Sequence, residues 1–460
     1  MLPFCQTALA ILPSRSGALA AGTLLLLLGA GHSVAQEPAH VSYETYTLPN
    51  GLTVVLSEDH AVPVITVNIW YDVGSRNEVP GRSGFAHLFE HLMFQGSAHV
   101  KQGEYPRLVE RAGGDYNGQT EEDITRYYET LPSNRLNLGL WLEADRMRSL
   151  AVTDSNVRNQ REVVKEERRL SVDNQPYAGA FVDAHAALFD SATCFGYAHP
   201  TIGSMIDLDA APVEDVRSFY HQYYAPDNAR LVVTGDFSSA AAKRLIAAYF
   251  ADMPRGRPRP AVACEAPFNW GGRREVITDR LATLAAAVLF YRIPPHDHPD
   301  TPALELLGIV LGQGESSRLT THLTRRAAAT VATQAGIFGT RRGPSAFGTF
   351  AVGSRGVSTD SLDQLLQAEA RLVADSGVSA EELEKAKNIY RASTISGRQR
   401  SADIAEALQH AATFHGSLEA VNTDFARYMA VSAEDIRRVA RTYLRSENLL
   451  RVLVQAGGAS

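Results

Sequence analysis

Several stretches of the chain are apolar at nearly every position, the pattern of elements buried on more than one side. Residues 62–74, "VPVITVNIWYDVG", and 281–293, "LATLAAAVLFYRI", read as buried strands. Residues 84–96, "GFAHLFEHLMFQG", carry Phe85, Leu88, Phe89, Leu92, Met93 and Phe94 and are apolar almost all round, which predicts a helix inside a large domain. Residues 113–132, "GGDYNGQTEEDITRYYETLP", read as two β-rich segments around a polar turn. Residues 156–170 read as a mostly charged helix of mixed sign, with Val163, Val164 and Leu170 on one stripe.

The pattern repeats. "VEDVRSFYHQYYAPDNARLVV" (213–233) aligns with "AEDIRRVARTYLRSENLLRVL" (433–453) at a constant offset of 220, matching Arg217 with Arg437, Tyr223 with Tyr443 and Asn228 with Asn448. Each copy predicts a helix ending near the Tyr, a turn at the Asn and a strand after it. A weaker match sets "HLMFQGS" (91–97) beside "IVLGQGE" (309–315) at nearly the same offset. The prediction is an α+β chain of two homologous domains, each a mainly antiparallel sheet with helices packed on it, related by internal duplication. The first spans about 40–253 and the second about 272–456, with the Pro/Arg-rich segment 254–271 as linker.

Composition narrows the class. With 45% hydrophobic residues and 21% charged, the chain of 460 residues can build large cores. A net charge of −7 leaves no cationic excess for phosphates, which argues against nucleic acid as a partner. Arg15, the apolar run after it and the small residues Ser33 and Ala35 form a secretory leader, residues 1–35, with cleavage after Ala35. An uncleaved anchor is the weaker reading, since the apolar run is short for a bilayer. The chain is thus read as exported, periplasmic or secreted, and not inserted in a membrane once the leader is removed. Cys194 and Cys264 lie far apart in sequence and are read as two buried thiols, with pairing left open.

The candidate chemistry sits on the buried helix. At 3.6 residues per turn His87, Glu90 and His91 share one face. Three ionisable groups on a buried face are costly unless something satisfies them. A metal would: imidazoles at i and i+4 reach one Zn²⁺, and a neighbouring carboxylate can take a proton from water. The competing reading is two core histidines bonded to backbone carbonyls. A third ligand is needed, and Glu162, Glu166 and Glu167 follow in the charged helix beside Gln160. Spacing alone does not choose among these glutamates.

His-x-x-Glu-His is the inverted zinc-peptidase motif. Together with "GGDYNGQTEEDITRYYETLP", "NQREVVKEERR", "YAHPTIGS" and "YYAPDNARLVVTGDF", it makes the chain resemble the pitrilysin-like superfamily, which includes insulin-degrading enzyme and the mitochondrial processing peptidase. The resemblance covers essentially all of the mature chain, at the length of the shorter, two-domain members. It implies half of a clam-shaped chamber and one Zn²⁺ per chain, held by His87, His91 and Glu167, with Glu166 as fallback and Glu90 as general base. Gln160 stands where members often carry a second glutamate beside the ligands, and is expected to tune ligand orientation. The resemblance also implies an edge strand that pairs with substrate, with Asn117, Gly118 and Gln119 lining the cleft and Tyr127 or Tyr128 near it. Substrates would be peptides or unfolded segments.

In the second half Glu305, Gly308 and Ile309 replace the motif. "GQGESSRL" (312–319) resembles the family's second-domain signature, but Thr324 and Val331 stand where members that work alone carry an Arg and a Tyr; Arg325 or Arg326 would substitute only after a register shift. This departure predicts a heterodimer with a homologous subunit lacking the zinc motif, and a homodimer second. His296 and His298, in the Pro-rich "PPHDHPD", are read as solvated, His410 and His415 as surface or packing residues of an amphipathic helix, and His199 as part of a turn. A metal-binding subunit idle by itself, a scaffold, and a hydrolase of non-peptide amides are the alternative functions.

Overall fold

The computed structural model describes residues 37–458, so the leader lies outside the described residues. Two sheets organise the chain. The first contains β1 (Glu44–Thr47), β2 (Thr53–Glu58), β3 (Val64–Tyr71), β4 (Asp115–Thr120), β5 (Thr125–Pro132) and β6 (Ala229–Gly235), in the order β1-β2-β6-β3-β5-β4. The second contains β7 (Arg273–Asp279), β8 (Ala286–Ile293), β9 (Thr330–Phe338), β10 (Ser345–Gly353) and β11 (Leu449–Ala456), in the order β7-β11-β8-β10-β9. Apart from β1 the two orders correspond strand for strand, and β2–β6 and β7–β11 are the matching parallel pairs in otherwise antiparallel sheets.

The duplication extends to single hydrogen bonds. Helices Val213–Tyr223 and Ala433–Tyr443 each end at a tyrosine. The Asn228 amide donates to Tyr223 O at 2.8 Å and to Asp72 O at 3.2 Å; the Asn448 amide donates to Tyr443 O and to Arg292 O, both at 2.8 Å. Asp72 and Arg292 are themselves 220 positions apart. Each buried Asn satisfies one carbonyl at a helix end and one on the neighbouring strand, so it fixes the helix–strand angle.

Each sheet has one face in its own half's core. On the first, the helices Phe85–Leu92, Leu136–Ser149, Val213–Tyr223 and Ser239–Phe250 bury Phe85, Leu88, Leu140, Phe219 and Ile246 against β2, β3 and β6. The opposite faces are covered reciprocally. Helix Ser401–Phe414, from the second half, lays Ala405, Leu408 and Ala411 on Val55 and Val232 of the first sheet. Helix Ala178–Ala187, from the first half, lays Phe181 and Ala184 on Phe290 and Leu450 of the second.

The halves also meet through buried charge. The polar turn between β4 and β5 is tied down: Glu122 accepts from Arg341 at 2.6 Å, and Arg341 is 1% exposed. Asp123 accepts from Tyr197 Oη at 3.0 Å and pairs with Arg76 at 2.6 Å. Burial alone would raise the Glu122 carboxyl, but Arg341 and His185 overcome it and hold the pKa at about 2.

Cys194 and Cys264 are paired in a disulfide, which corrects the reading of two free thiols. The segment after helix Ser239–Phe250 runs back along the end of the first half, where Glu265 N donates to Thr193 O at 3.0 Å and Thr193 Oγ1 donates to Glu265 O at 3.1 Å. That antiparallel contact brings the neighbouring cysteines together, and a 70-residue separation gives no sequence sign of it. Among the described residues no helix is long and apolar enough to cross a membrane.

Candidate active site

The motif helix, Phe85–Leu92, starts at Gly84 with φ +92°. Gly203, at φ +76°, packs directly on it: a Cβ there would stand 2.4 Å from Gly84 Cα. This close backbone contact seats the "YAHPTIGS" loop against the helix start and admits no side chain at Gly203. Glu78 caps the same end, accepting from Gly84 N at 2.8 Å and Ala86 N at 2.7 Å. A carboxylate there meets orphan N–H groups and the positive end of the helix dipole. His199 belongs to the adjoining turn, its Nδ1 3.5 Å from Glu78. Glu78 escaped the sequence reading because its helix-capping role appears only once the intervening loop is folded.

The second contributor is the charged helix Asp154–Arg168, whose N-cap Thr153 accepts from Asn156 N. Its buried face is Val157, Gln160 and Val164, a 3–4 spacing that continues to Glu167. The predicted stripe is corrected here: Val164 is buried, but Val163 is 42% and Leu170 58% exposed. The stripe through Val157, Gln160 and Val164 leaves Val163 on the outer flank, and the chain passes into a π-helical turn at Arg169–Asp173, before Leu170 can rejoin the stripe.

The two helices bring His87, His91 and Glu167 together. Glu167 Oε2 lies 3.1 Å from His91 Nε2 and 3.7 Å from His87 Nε2, and the imidazoles stand edge to face with centroids 4.9 Å apart. The other glutamates point away: Glu166 pairs with Arg169 and Glu162 with Lys165, and both carboxylates are exposed. Burial lowers the pKa of His87, which favours the neutral, lone-pair-bearing ring. The hydrogen bond from His91 lowers that of Glu167 against the opposing effect of burial. Two imidazole nitrogens and a carboxylate oxygen converging on one point are a donor set that suits zinc. Gln160 is buried on the same face, but its amide donates to Asn159 Oδ1 at 2.7 Å and makes no hydrogen bond to the three convergent side chains. His87 Nδ1 is buried with no hydrogen-bond partner among the described residues.

Glu90 lies between this cluster and the sheet edge. β4 is the terminal strand of the first sheet, so one side of its backbone is unpaired within the sheet. Gly118 passes so close to the motif helix that a Cβ would stand 3.1 Å from Glu90 Cγ, Phe94 Cε2 and Tyr127 Cδ1. Strand alternation turns Tyr116 and Thr120 to the same side, Tyr116 against Phe94 and Thr120 Oγ1 toward Ala86 O. Asn117 and Gln119 therefore point to the opposite side, where Gln119 bonds Arg126. Tyr127 is fully buried behind the site, with its hydroxyl toward Phe89 O at 3.3 Å, and Tyr128, paired with Asn117 across the ladder, is partly exposed. Under Tyr127 lies a network the sequence reading missed: buried Arg146 pairs with Glu143 and packs on the rings of Phe94, Tyr105 and Tyr127.

In the second half the helix Thr301–Gly312 occupies the corresponding place and carries Glu305, Gly308 and Ile309. Thr324 bonds Thr330 at 2.8 Å, Val331 is 56% exposed on β9, and Arg325 pairs with Glu315 on the surface. His296, read as solvated, is instead buried beside His410 and His415; burial and these neighbours lower its pKa.

Residues 53–194 match the family model described as insulinase (peptidase family M16), and residues 211–390 match the peptidase M16 inactive domain. The zinc protease PqqE of Helicobacter pylori is 31% identical over 439 residues, 94% of this chain and 96% of that protein. A crystal structure of a protease from Helicobacter pylori superimposes with a TM-score of 0.86 at 29% identity, over 90% of this chain and all of that one. The periplasmic protease PqqL of Escherichia coli shares the fold, with a TM-score of 0.72 at 18% identity, and this chain spans 48% of its length. Matched in both halves, and along nearly its whole length by a zinc protease, the chain belongs to peptidase family M16, within the pitrilysin-like superfamily.

Proposed function

We propose that this chain is an exported zinc metalloendopeptidase that cleaves peptides or unfolded segments. The observation that carries the reading is the convergence of His87, His91 and Glu167, with Glu90 between them and the free edge of β4. His87, His91 and Glu167 would hold one zinc, which when bound supplies the Lewis acidity that polarises a carbonyl and acidifies water. Glu90 takes the proton from the attacking water and returns it to the leaving amine. The β4 backbone at Asn117–Gln119 grips an extended peptide by main-chain hydrogen bonds, which hold many sequences in one register. Gly118 keeps that backbone against Glu90. The described disulfide and the periplasmic relative support export.

The test is cleavage of a pool of unstructured peptides by the zinc-loaded mature chain, with and without chelator. Chelator-sensitive cutting is expected, and Glu90→Gln should reduce it by about 10²–10⁴-fold with zinc content and Tm unchanged. A second reading is favoured by Thr324 and Val331: the chain holds the metal but cuts only beside a homologous partner that supplies the missing cation and phenol. Zinc-loaded chain that cuts nothing alone and regains activity with such a subunit would establish it.

A further inference from the structure

A second group of side chains outside the candidate active site has the makings of a metal centre. His296 lies in the loop after β8, His410 is on the helix Ser401–Phe414, and His415 is the C-cap of that helix. Each offers a ring nitrogen, and the three lie within 4.8 Å of one another. Ring centroids are 4.9 Å apart for His296–His410, 4.9 Å for His296–His415 and 5.7 Å for His410–His415. Tetrahedral zinc with bonds of ~2 Å needs ligand atoms roughly 3.3 Å apart, so the set has to close by about 1.5 Å or less.

Among the described residues no hydrogen bond reaches a ring nitrogen of the three histidines, although His296 is 7% exposed. His296 is buried, while His410 and His415 are partly exposed beside a cavity, so the three rings are gathered at one point with no hydrogen bond among the described residues to account for it. The nearest carboxylates stand one step back: Glu305 is 3.9 Å from His296 Nδ1 and Asp424 is 3.9 Å from His415 Nε2. Carboxylates at that remove orient imidazole ligands and strengthen their donation. His410, His415 and Asp424 also line a cavity of about 630 Å³ with Arg398 and Glu406, which gives an ion a way in and leaves room for a fourth, solvent ligand.

We propose that His296, His410 and His415 form a second transition-metal site, taking Zn²⁺ or a similar borderline cation. Its place in the fold defines its effect. All three residues belong to the second half: His296 follows β8, whereas His410 and His415 ride on the helix that this half lays on the first sheet. A bound ion therefore ties that covering helix to the body of its own half.

The test uses the full mature chain, stripped of metal, reloaded with Zn²⁺ alone and passed through metal-free gel filtration before metal analysis. Two zinc ions per wild-type chain are expected, one in His410→Ala and one in His91→Ala. Co²⁺ titration of the wild type, followed by its visible d–d bands, should show two saturating sites and needs no variant to fold. One zinc per chain, lost in His91→Ala and kept in His410→Ala, overturns the proposal and leaves the three rings as aromatic packing. One zinc lost in His410→Ala and kept in His91→Ala supports it while sinking the catalytic zinc reading, so the two fail separately.

Discussion

At the scale of single residues, the motif helix is legible together with the face it presents, whereas its partner is legible as a helix but not in the face it buries. Three ionisable groups at fixed helical spacing in an apolar run leave few alternatives for His87, Glu90 and His91. Glu167 was reached only through family resemblance, because Glu162, Glu166 and Glu167 sit in one charged run and the stripe drawn through Val163 and Leu170 pointed at the wrong face. The buried face through Val157, Gln160 and Val164 singles out Glu167. Glu167→Gln is therefore expected to lose bound zinc, since an amide is a far weaker ligand than a carboxylate, whereas Glu166→Gln should keep it and lose only a surface pair worth about 1 kcal/mol or less. Metal analysis of the two variants side by side checks this. His296 was misjudged for a related reason: a Pro-rich loop suggests solvent until the element that packs over it is known.

At the scale of elements, the strands and the hairpin at residues 115–132 followed from pattern, but the burial of the hairpin's tip did not. Alternation along one strand says which residues share a face; it does not say what arrives from 200 residues away. Gly118 shows what the edge strand contributes. A side chain there would press on Glu90 Cγ, Phe94 and Tyr127, each 3.1 Å from the added Cβ. Phe94 and Tyr127 are packed against Arg146 and have little room to give, so Glu90 or the strand must shift. Gly118→Val is expected to lower kcat at least about 10-fold with zinc retained, because a general base displaced by a fraction of an ångström loses its alignment. Steady-state kinetics with metal analysis measures it.

At the scale of the whole molecule, a buried ion pair joins the halves and a disulfide ties the linker to the first half. Glu122 is depressed to about 2 by Arg341, so its contribution is present above the unfolded value near 4.5 and is lost as pH falls toward 2. In Arg341→Met the carboxylate is left buried and unpaired, which costs roughly 3–5 kcal/mol at neutral pH. Urea melts of wild type and variant should differ most at pH 7, and the gap should narrow between pH 4.5 and 2. The disulfide closes a loop across a 70-residue separation, which removes about 4 kcal/mol of unfolded-state freedom. Cys264→Ser should lose most of that, and reductant should bring the wild-type Tm down to the variant's while leaving the variant unchanged. The duplication itself was plain from the constant offset of 220, because both copies keep the helix end, the buried Asn and the strand that follows.

The reciprocal covering of the sheets has a consequence for how the chain reaches this state. Duplication suggests two modules that mature one after the other, yet Val55 and Val232 wait for Ala405 and Leu408, and Phe181 waits for Phe290. The first sheet is itself complete only when β6 arrives at Ala229–Gly235, and its outer face stays bare until residue 401 is made. A fragment cut at the linker would carry an uncovered apolar sheet face on each side of the cut, and each fragment would hold the helix the other lacks. The two halves are thus obligate folding partners on one strand of polypeptide, and the late helix acts as the clasp that ends assembly.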